Sequence, residues 1–167
     1  MSAAELSAAV LTVSDRSHRG DRADRSGPDL VEAVRAAGFR VGEARVVPDE
    51  KVEIEMELIR LADEEHVALI LTTGGTGFAP RDVTPEATRA VIQREAPGLA
   101  EHARAATRSS SRFSILSRGV AGLRGRSLIV NLPGSPKGAV ETFQVLAPVL
   151  PHALAVLVRA ADEHPEA

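Results

Sequence analysis

The sequence predicts an α/β fold of three layers, in which helices cover both faces of a mostly parallel β-sheet. Two short runs, residues 8–13 and 67–71, are apolar without alternation, which is typical of strands buried on both faces. Helical patterns separate the strand patterns along most of the chain, as in parallel sheets. A hairpin pattern at 120–130 adds an antiparallel pair, so the sheet is expected to be mixed. At 167 residues the chain is expected to form one domain, 1–167, with a core at about 8–160 and a polar tail at 161–167.

The first strand pattern, 8–13, leads into a loop at 14–25 that is dense in charges of both signs. We interpret this loop as mobile and as a candidate lid over a site. A helix follows, with Ser26 predicted as its N-cap and Gly38 at its end. Residues 39–47 alternate and predict a second strand.

Pro48-Asp49-Glu50 breaks that strand and opens the next helix. Its buried face is predicted to contain Val52, Met56 and Ile59, widened by Leu58 and Ala62.

The strand at 67–71 is followed by a glycine loop and then by Thr84-Pro85, which has the form of an N-cap and a first helical residue. Pro97-Gly98 interrupts the helical stretch, and a second piece is predicted at 99–106. Residues 107–117 show no clear pattern.

Two short strands, 120–123 and 127–130, are predicted to form the hairpin. Ser135-Pro136 again has the form of a cap and a first helical residue. The helix that follows is disturbed by Pro148 and Pro151, and a last helix is predicted at 152–160.

Composition excludes several classes of protein. No cysteine is present, so disulfides, thiolate nucleophiles and cysteine-ligated metal sites are excluded. Aromatic residues make up 2% of the chain and the formal net charge is −3, and both argue against nucleic-acid binding. The N-terminus has no basic segment before its apolar run, and no run approaches the length of a membrane span. We therefore expect a soluble, cytoplasmic protein with no membrane partner.

The charges are unevenly distributed. Between Glu101 and Glu141 the chain has no acidic residue, and the interval suggests an anionic ligand nearby, a subunit interface or a solvated basic face. The basic residues of this acid-free interval are Arg104, Arg108, Arg112, Arg118, Arg124, Arg126 and Lys137.

The glycine loop 73–77, Thr-Gly-Gly-Thr-Gly, directly follows a buried strand. Glycine tolerates positive φ and close approach, which turn backbone N–H groups toward a phosphate. The next helix start adds the positive end of its dipole. A tight turn is the alternative interpretation of such a loop, but Arg81 and Asp82 just beyond it favour a nucleotide and a metal.

Two carboxylates, Asp49 and Asp82, each follow a strand and precede a helix. Asp49 alone is consistent with a plain helix cap, and Asp82 with a brace of its own turn. Beside an anion pocket, however, they suit Mg²⁺, which is usually held by one or two carboxylates and substrate phosphates.

Four polar clusters stand at the ends of predicted strands, where ligands bind in parallel sheets. We expect them to converge on one site. The clusters are Ser14-Asp15, Pro48-Asp49, the glycine loop with Asp82, and residues 131–137.

Five motifs occur in this order between about residues 8 and 159. They are Thr12-Val13-Ser14-Asp15, Ser26-Gly27-Pro28, Pro48-Asp49, Thr73-Gly74-Gly75-Thr76-Gly77 with Arg81-Asp82-Val83-Thr84-Pro85-Glu86, and Asn131-Leu132-Pro133-Gly134-Ser135-Pro136-Lys137. In these motifs the sequence resembles the MogA/MoaB family of molybdopterin-binding proteins, and more closely its MogA-type molybdopterin adenylyltransferases.

The resemblance implies an enzyme of molybdenum cofactor biosynthesis with the molybdopterin-binding fold. In this family the terminal phosphate of molybdopterin attacks the α-phosphate of ATP, with Mg²⁺, to give adenylyl-molybdopterin and pyrophosphate. The resemblance also implies that the protein is a homotrimer and that a molybdenum-insertion enzyme is a candidate partner.

Asp49 and Asp82 match the family's two essential aspartates, which we expect to be catalytic and to hold Mg²⁺. Ser135 stands at a position where relatives vary, and the loop at 14–25 fits the family only loosely. The predicted substrate-binding residues are Ser14, Asp15, Thr73, Gly74, Gly75, Thr76, Gly77, Arg81, Asn131, Pro133, Gly134, Ser135 and Lys137.

Three other functions stay open at this point. A hydrolase of the related CinA type would be expected to carry a second domain. A MoaB-like carrier would bind molybdopterin without turnover, and the presence of both aspartates favours catalysis over it. A nucleic-acid-binding role could use the acid-free interval but lacks aromatic side chains for stacking.

Overall fold

A computed structural model describes residues 7–163, which form a seven-stranded mixed sheet with helices on both faces. The strand order is β2-β1-β4-β7-β6-β5, and β3 pairs with β1 beyond the end of β2. β1, β2, β3, β4 and β7 run parallel, whereas β5, β6 and β7 pair antiparallel. The strands are β1 Ser7–Val13, β2 Arg40–Val41, β3 Arg45–Val47, β4 Leu69–Thr73, β5 Arg94–Glu95, β6 Ala121–Arg124 and β7 Ser127–Leu132.

Seven α-helices lie between these strands or after the last of them within the described residues. The helix α3 ends in a π-helical turn, Arg60–Glu64, and two 3₁₀ turns, Thr107–Ser109 and Arg112–Leu116, follow α5. The helices are α1 Asp15–His18, α2 Ser26–Ala36, α3 Lys51–Ile59, α4 Thr84–Val91, α5 Pro97–Ala106, α6 Pro136–Leu146 and α7 Leu150–Glu163.

Alternate side chains of the central strands pack into two separate hydrophobic cores, because successive side chains of a strand point to opposite faces of the sheet. In β4, Leu69 and Leu71 pack into the core with α2, α5, α6 and α7, whereas Ile70 packs into the core with α3 and α4. All three side chains are fully buried. This confirms the three-layer α/β/α sandwich and explains why the strands are apolar without alternation.

The register of the sheet places four strand ends side by side. Val13 pairs with Val47, and Thr73 pairs with both Thr12 and Leu132. The loops after β1, β3, β4 and β7 therefore leave the sheet from one edge, and these loops carry the four polar clusters.

The strand predicted at 39–47 is two short strands. β2 pairs with the start of β1 and β3 with its end, and residues 42–44 between them leave the ladder.

The buried face predicted for α3 is wrong at Val52 and Met56 and confirmed at Leu58 and Ala62. Val52 and Met56 are 63% and 62% exposed, whereas Ile54 and Leu58 are fully buried. Val52 and Met56 form one apolar row of this helix, and Ile54 and Leu58 form another. The hydrophobic pattern alone does not decide which row is buried, and packing against β1 and β4 buries Ile54 and Leu58.

Two of the three predicted serine and threonine caps are wrong. Ser26 is the first residue of α2, and the carboxylate of Asp24 accepts from the Gly27 amide at 3.0 Å in its place. Thr84 is the first residue of α4, and its hydroxyl donates to the carbonyl of Gly74. Ser135 does cap α6, where its hydroxyl accepts from the Gly138 amide at 3.2 Å.

The last helix continues to Glu163 and so includes the first residues of the predicted tail, 161–167; residues 164–167 lie outside the described part of the chain. No single helix in the described residues is long and apolar enough to cross a membrane. A pair bent by 63°, α6 with residues 150–159, would pass by length and composition alone.

Candidate functional site

The four polar clusters meet at the edge of the sheet where β1, β3, β4 and β7 end. Ser14 continues the β1–β3 pairing through its amide, which donates to Val47 at 2.9 Å. On the other side of β4, the amide of Gly74 donates to the carbonyl of Leu132 at 3.3 Å. These backbone bonds fix the loops relative to one another, so the predicted convergence is confirmed in its geometry.

Asp15 and Asp49 hold each other through reciprocal hydrogen bonds. The Asp15 amide donates to Oδ2 of Asp49 at 2.8 Å, and the Asp49 amide donates to Oδ1 of Asp15 at 3.0 Å. Asp49 is not a helix cap, because the residue before α3 is Glu50 and it makes no side-chain capping bond. The pair instead locks the loop after β1 to the loop after β3.

Arg81 reaches over this pair from the loop after the glycines. Its Nε lies 2.6 Å from Oδ2 of Asp15, and its Nη2 lies 2.7 Å from Oε1 of Glu50. The bond from Arg81 holds the pKa of the Asp15 carboxyl below its ordinary value. Asp15 is therefore an anion engaged by arginine, and Arg81 lies at the rim with half of its side chain exposed.

Asp49 is in the opposite electrostatic situation. Burial raises the pKa of its carboxyl, and the nearby negative charges of Asp15 and Asp82 add to the effect. No residue within 7–163 donates a hydrogen bond to Oδ1 of Asp49 or to Oδ1 of Asp82. A carboxylate that is half-buried beside like charges attracts a cation.

Two glycines of the loop are required by backbone conformation and by space. Gly74 has a φ of +106°, and a Cβ there would stand 2.3 Å from the carbonyl oxygen of Val13. Gly75 has a φ of +66°, and a Cβ there would stand 2.2 Å from Oγ1 of Thr84 and 3.3 Å from Oδ1 of Asp49. A side chain at either position is therefore both strained and obstructed.

Gly77 differs from these two, since its φ is not among the positive ones of the described residues. A Cβ there would stand 2.8 Å from Oδ2 of Asp82. That oxygen accepts from the Ala79 amide at 2.9 Å, so Asp82 braces its own turn while its other oxygen stays unbonded. The glycine gives the carboxylate room.

The loop also carries unpaired backbone donors. The amides of Gly75, Thr76 and Gly77 donate to no acceptor within residues 7–163. Unpaired amides in a glycine loop beside a helix N-terminus are what an anion site provides.

Two cavities adjoin at this loop, with volumes of about 390 Å³ and about 220 Å³. Gly75, Asp82 and Gly134 line both of them and form the ridge between them. The smaller cavity is bounded further by Asp49 and by the loop at 22–26. The larger one is bounded by the Ser135 side of α6 and by the 3₁₀ turn around Phe113.

The remaining predicted residues lie in different positions. Thr73 donates from its hydroxyl to the carbonyl of Pro133 at 2.7 Å and so joins two of the loops. Asn131 is buried, and its amide nitrogen donates to Thr72 and Thr88, which makes it a support of the sheet edge. Lys137 lines neither cavity, and its side chain is 81% exposed.

The sequence interpretation missed two contributors to the site. The 3₁₀ turn Arg112–Leu116 closes the larger cavity, although no periodicity marked that segment. Arg118 bonds to the carbonyls of Gly77 and Asp82. The only signal for it was its place in the acid-free interval.

Asp49 and Asp82 fit Mg²⁺. Within residues 7–163 no cluster of three or more His, Cys, Asp or Glu side chains suits a metal. The two carboxylates line the same smaller cavity, and each has one oxygen, Oδ1, that accepts no hydrogen bond from residues 7–163. A pair of this kind needs substrate phosphates to complete a magnesium shell, which is how Mg²⁺ is usually bound.

Comparison with known proteins gives consistent matches. A family profile described as "Probable molybdopterin binding domain" matches residues 9–152. A molybdopterin adenylyltransferase of Helicobacter pylori strain J99 is 40% identical over 151 residues, which are 89% of this chain and 86% of that protein. The crystal structure of the molybdopterin biosynthesis enzyme MoaB from Thermus thermophilus is 50% identical, with a TM-score of 0.86, over 91% of this chain and 96% of that one.

A longer relative also matches. The molybdenum cofactor synthesis protein cinnamon of Drosophila melanogaster is 45% identical over 148 residues, which are 87% of this chain. The chain spans only 24% of that protein's length.

Proposed function

The chain belongs to the family of molybdopterin-binding domains, and we propose that it is a molybdopterin adenylyltransferase of molybdenum cofactor biosynthesis. It transfers the adenylyl group of ATP to the terminal phosphate of molybdopterin and releases pyrophosphate. The observation that carries this proposal is the pair of cavities that meet at Gly75, Asp82 and Gly134. Two phosphate-bearing substrates need two adjoining pockets whose reacting groups meet at one ridge.

The chain's own groups supply positioning and electrostatic stabilisation. The unpaired amides of Gly75, Thr76 and Gly77 are placed to donate to phosphate oxygens at the ridge. The N-terminus of α4 adds its dipole on the same side. Asp15 and Thr73 hold the loops in register through their bonds to Asp49 and Pro133.

Asp49 and Asp82 are the residues that would hold Mg²⁺. When bound, the ion would neutralise charge on the phosphates of an in-line displacement. The raised pKa of Asp49, which burial causes in the first place, and its unbonded oxygen support this role, because no arginine or lysine within residues 7–163 donates to this carboxylate.

The test is incubation of the purified protein with molybdopterin, ATP and Mg²⁺, followed by detection of adenylyl-molybdopterin and pyrophosphate in equal amounts. Omission of molybdopterin is the control for ATP hydrolysis. Tight molybdopterin binding without either product would instead identify a MoaB-like carrier and overturn the proposal.

We propose a homotrimer in the cytoplasm, where the ATP that the reaction consumes is available, with a molybdenum-insertion enzyme as the partner that receives the product. The acid-free interval exposes apolar side chains, with Phe113 at 61% and Ile115 at 63%, and such a surface is suited to a subunit contact. Light scattering at micromolar concentration should give about three times the chain mass of 17.6 kDa. A monomer under these conditions would refute the assembly.

The trimer should carry complete sites in each subunit, because Asp49 and Asp82 line one cavity of a single chain. Mixing inactive Asp49→Ala and Asp82→Ala subunits is therefore expected to restore no activity. Restored activity would place the site across an interface.

A further inference from the structure

We propose that Arg118 is a positioning residue for adenylyl transfer, which holds the loop between Gly77 and Asp82 so that the Asp82 carboxylate stays at the ridge between the cavities. The proposal rests on the proposed function for its kinetic part. Its structural part stands on contacts alone.

One guanidinium bonds to both ends of this loop. Nε of Arg118 donates to the carbonyl of Gly77 at 2.7 Å, and Nη2 donates to the carbonyl of Asp82 at 2.5 Å. The four residues between these carbonyls are exposed, and Phe78 is 72% exposed. The side chains of the loop therefore contribute little packing that would hold its backbone in one conformation. Ordering that backbone costs conformational entropy, which the bonds from Arg118 offset.

The guanidinium is itself held from the far side. Its Nη1 donates to Oε1 of Glu86 in the first turn of α4, and this bond holds the pKa of Glu86 below its ordinary value. The backbone amide of Arg118 donates to the carbonyl of Thr76 at 2.9 Å. Arg118 thus links the loop to α4 and to the segment that enters β6, which are both part of the packed fold.

Other bonds of the loop do not replace this link. The Ala79 amide and the Asp82 carboxylate bond within the loop, as do the Asp82 amide and the Ala79 carbonyl. These bonds shape the turn but do not tie it to the sheet. Beyond the turn, the Thr84 amide bonds to the carbonyl of Gly75. The Arg81 side chain also reaches from the loop to Asp15 and Glu50, but it is half-exposed and bonds to no backbone group there. Arg118 is the side chain that holds the loop backbone itself, at the carbonyls of Gly77 and Asp82.

Lysine cannot do the same. A guanidinium presents a rigid fork of donors, and here three of its nitrogens serve three different acceptors. An ammonium group keeps the charge but is a single point, so Arg118→Lys should keep the contact with Glu86 and release the two carbonyls.

The experiment compares Arg118→Lys with Arg124→Lys. Arg124 is a matched control, because it also uses three nitrogens, two on the carboxylate of Asp63 and one on the carbonyl of Val91 at 2.8 Å. It lines neither cavity. We expect Arg118→Lys to lower kcat by about 10-fold or more with little change in KM, since a displacement of about 1 Å at a reacting centre has effects of this size. Arg124→Lys should leave both constants unchanged.

Hydrogen exchange of the loop amides is the second measurement and does not depend on the proposed activity. The amides of Phe78, Ala79, Arg81 and Asp82 should exchange faster in Arg118→Lys than in Arg124→Lys, with the core strands unaltered in both. Inactive wild-type protein would count against the proposed function, and the exchange data would still decide the structural part. Unchanged exchange, or faster exchange with an unchanged kcat in an active enzyme, would overturn the role of Arg118.

Discussion

Asp82→Asn is expected to reduce adenylyl transfer by at least about 100-fold, the size of loss seen when one group that stabilises transition-state charge is removed. The asparagine side chain keeps an oxygen that can accept from the Ala79 amide, so the turn should persist. The substitution removes the negative charge of the carboxylate that we propose as a ligand of Mg²⁺. Asp49→Asn should behave alike, because its amide oxygen can still accept from the Asp15 amide. The same losses are expected for the alanine variants, with a larger effect on the loops.

The measurement is kcat and KM for both substrates, together with thermal unfolding of each variant. Asp63→Asn is the control, since it removes a carboxylate that pairs with Arg124 on the surface, away from both cavities. It should leave turnover unchanged. Near-normal adenylylation by Asp82→Asn would contradict the catalytic assignment. Reduced thermal stability with normal turnover in Asp49→Asn would show that Asp49 only locks its loop.

The convergence of the site could be predicted because it follows from the sheet alone. Parallel strands end at one edge, so the polar residues after β1, β3, β4 and β7 had to meet there, whatever the helices do. The glycine loop was predictable for the same kind of reason, as its conformation is required locally. Gly74 and Gly75 have positive φ, which few other residues tolerate.

Some contacts that the sequence did not predict join residues that are distant along the chain. Asp49 is 34 positions from the amide that it accepts from, and Arg118 is 41 positions from Gly77. No local pattern specifies such pairs. The sequence did not predict Asp24 as the side chain that caps α2, because Asp24 and Ser26 both suit a helix start. The backbone conformation at Arg25 decides which of the two accepts from the Gly27 amide. The buried face of α3 was ambiguous because two rows were apolar.

Gly75→Ala is expected to weaken binding of ATP with Mg²⁺ by about 10-fold or more, a free-energy difference of about 1.4 kcal/mol. The added Cβ would stand 2.2 Å from Oγ1 of Thr84, so one of the two must move. The hydroxyl of Thr84 donates to the carbonyl of Gly74, and its displacement would break that bond. The same Cβ would stand 3.3 Å from the unbonded oxygen of Asp49 and narrow both cavities at the ridge.

Gly125→Ala separates this steric effect from backbone strain. Gly125 has a φ of +52°, close to the +66° of Gly75, but a Cβ there would meet nothing within 4 Å. It lies in the β6–β7 turn, so alanine should cost only the penalty of a left-handed conformation, about 1–2 kcal/mol of stability. Gly75→Ala should lose more stability than this control, and it alone should lose affinity in calorimetric titration. Equal losses of stability with unchanged affinity in both variants would mean that the glycine loop is a turn and not the phosphate site.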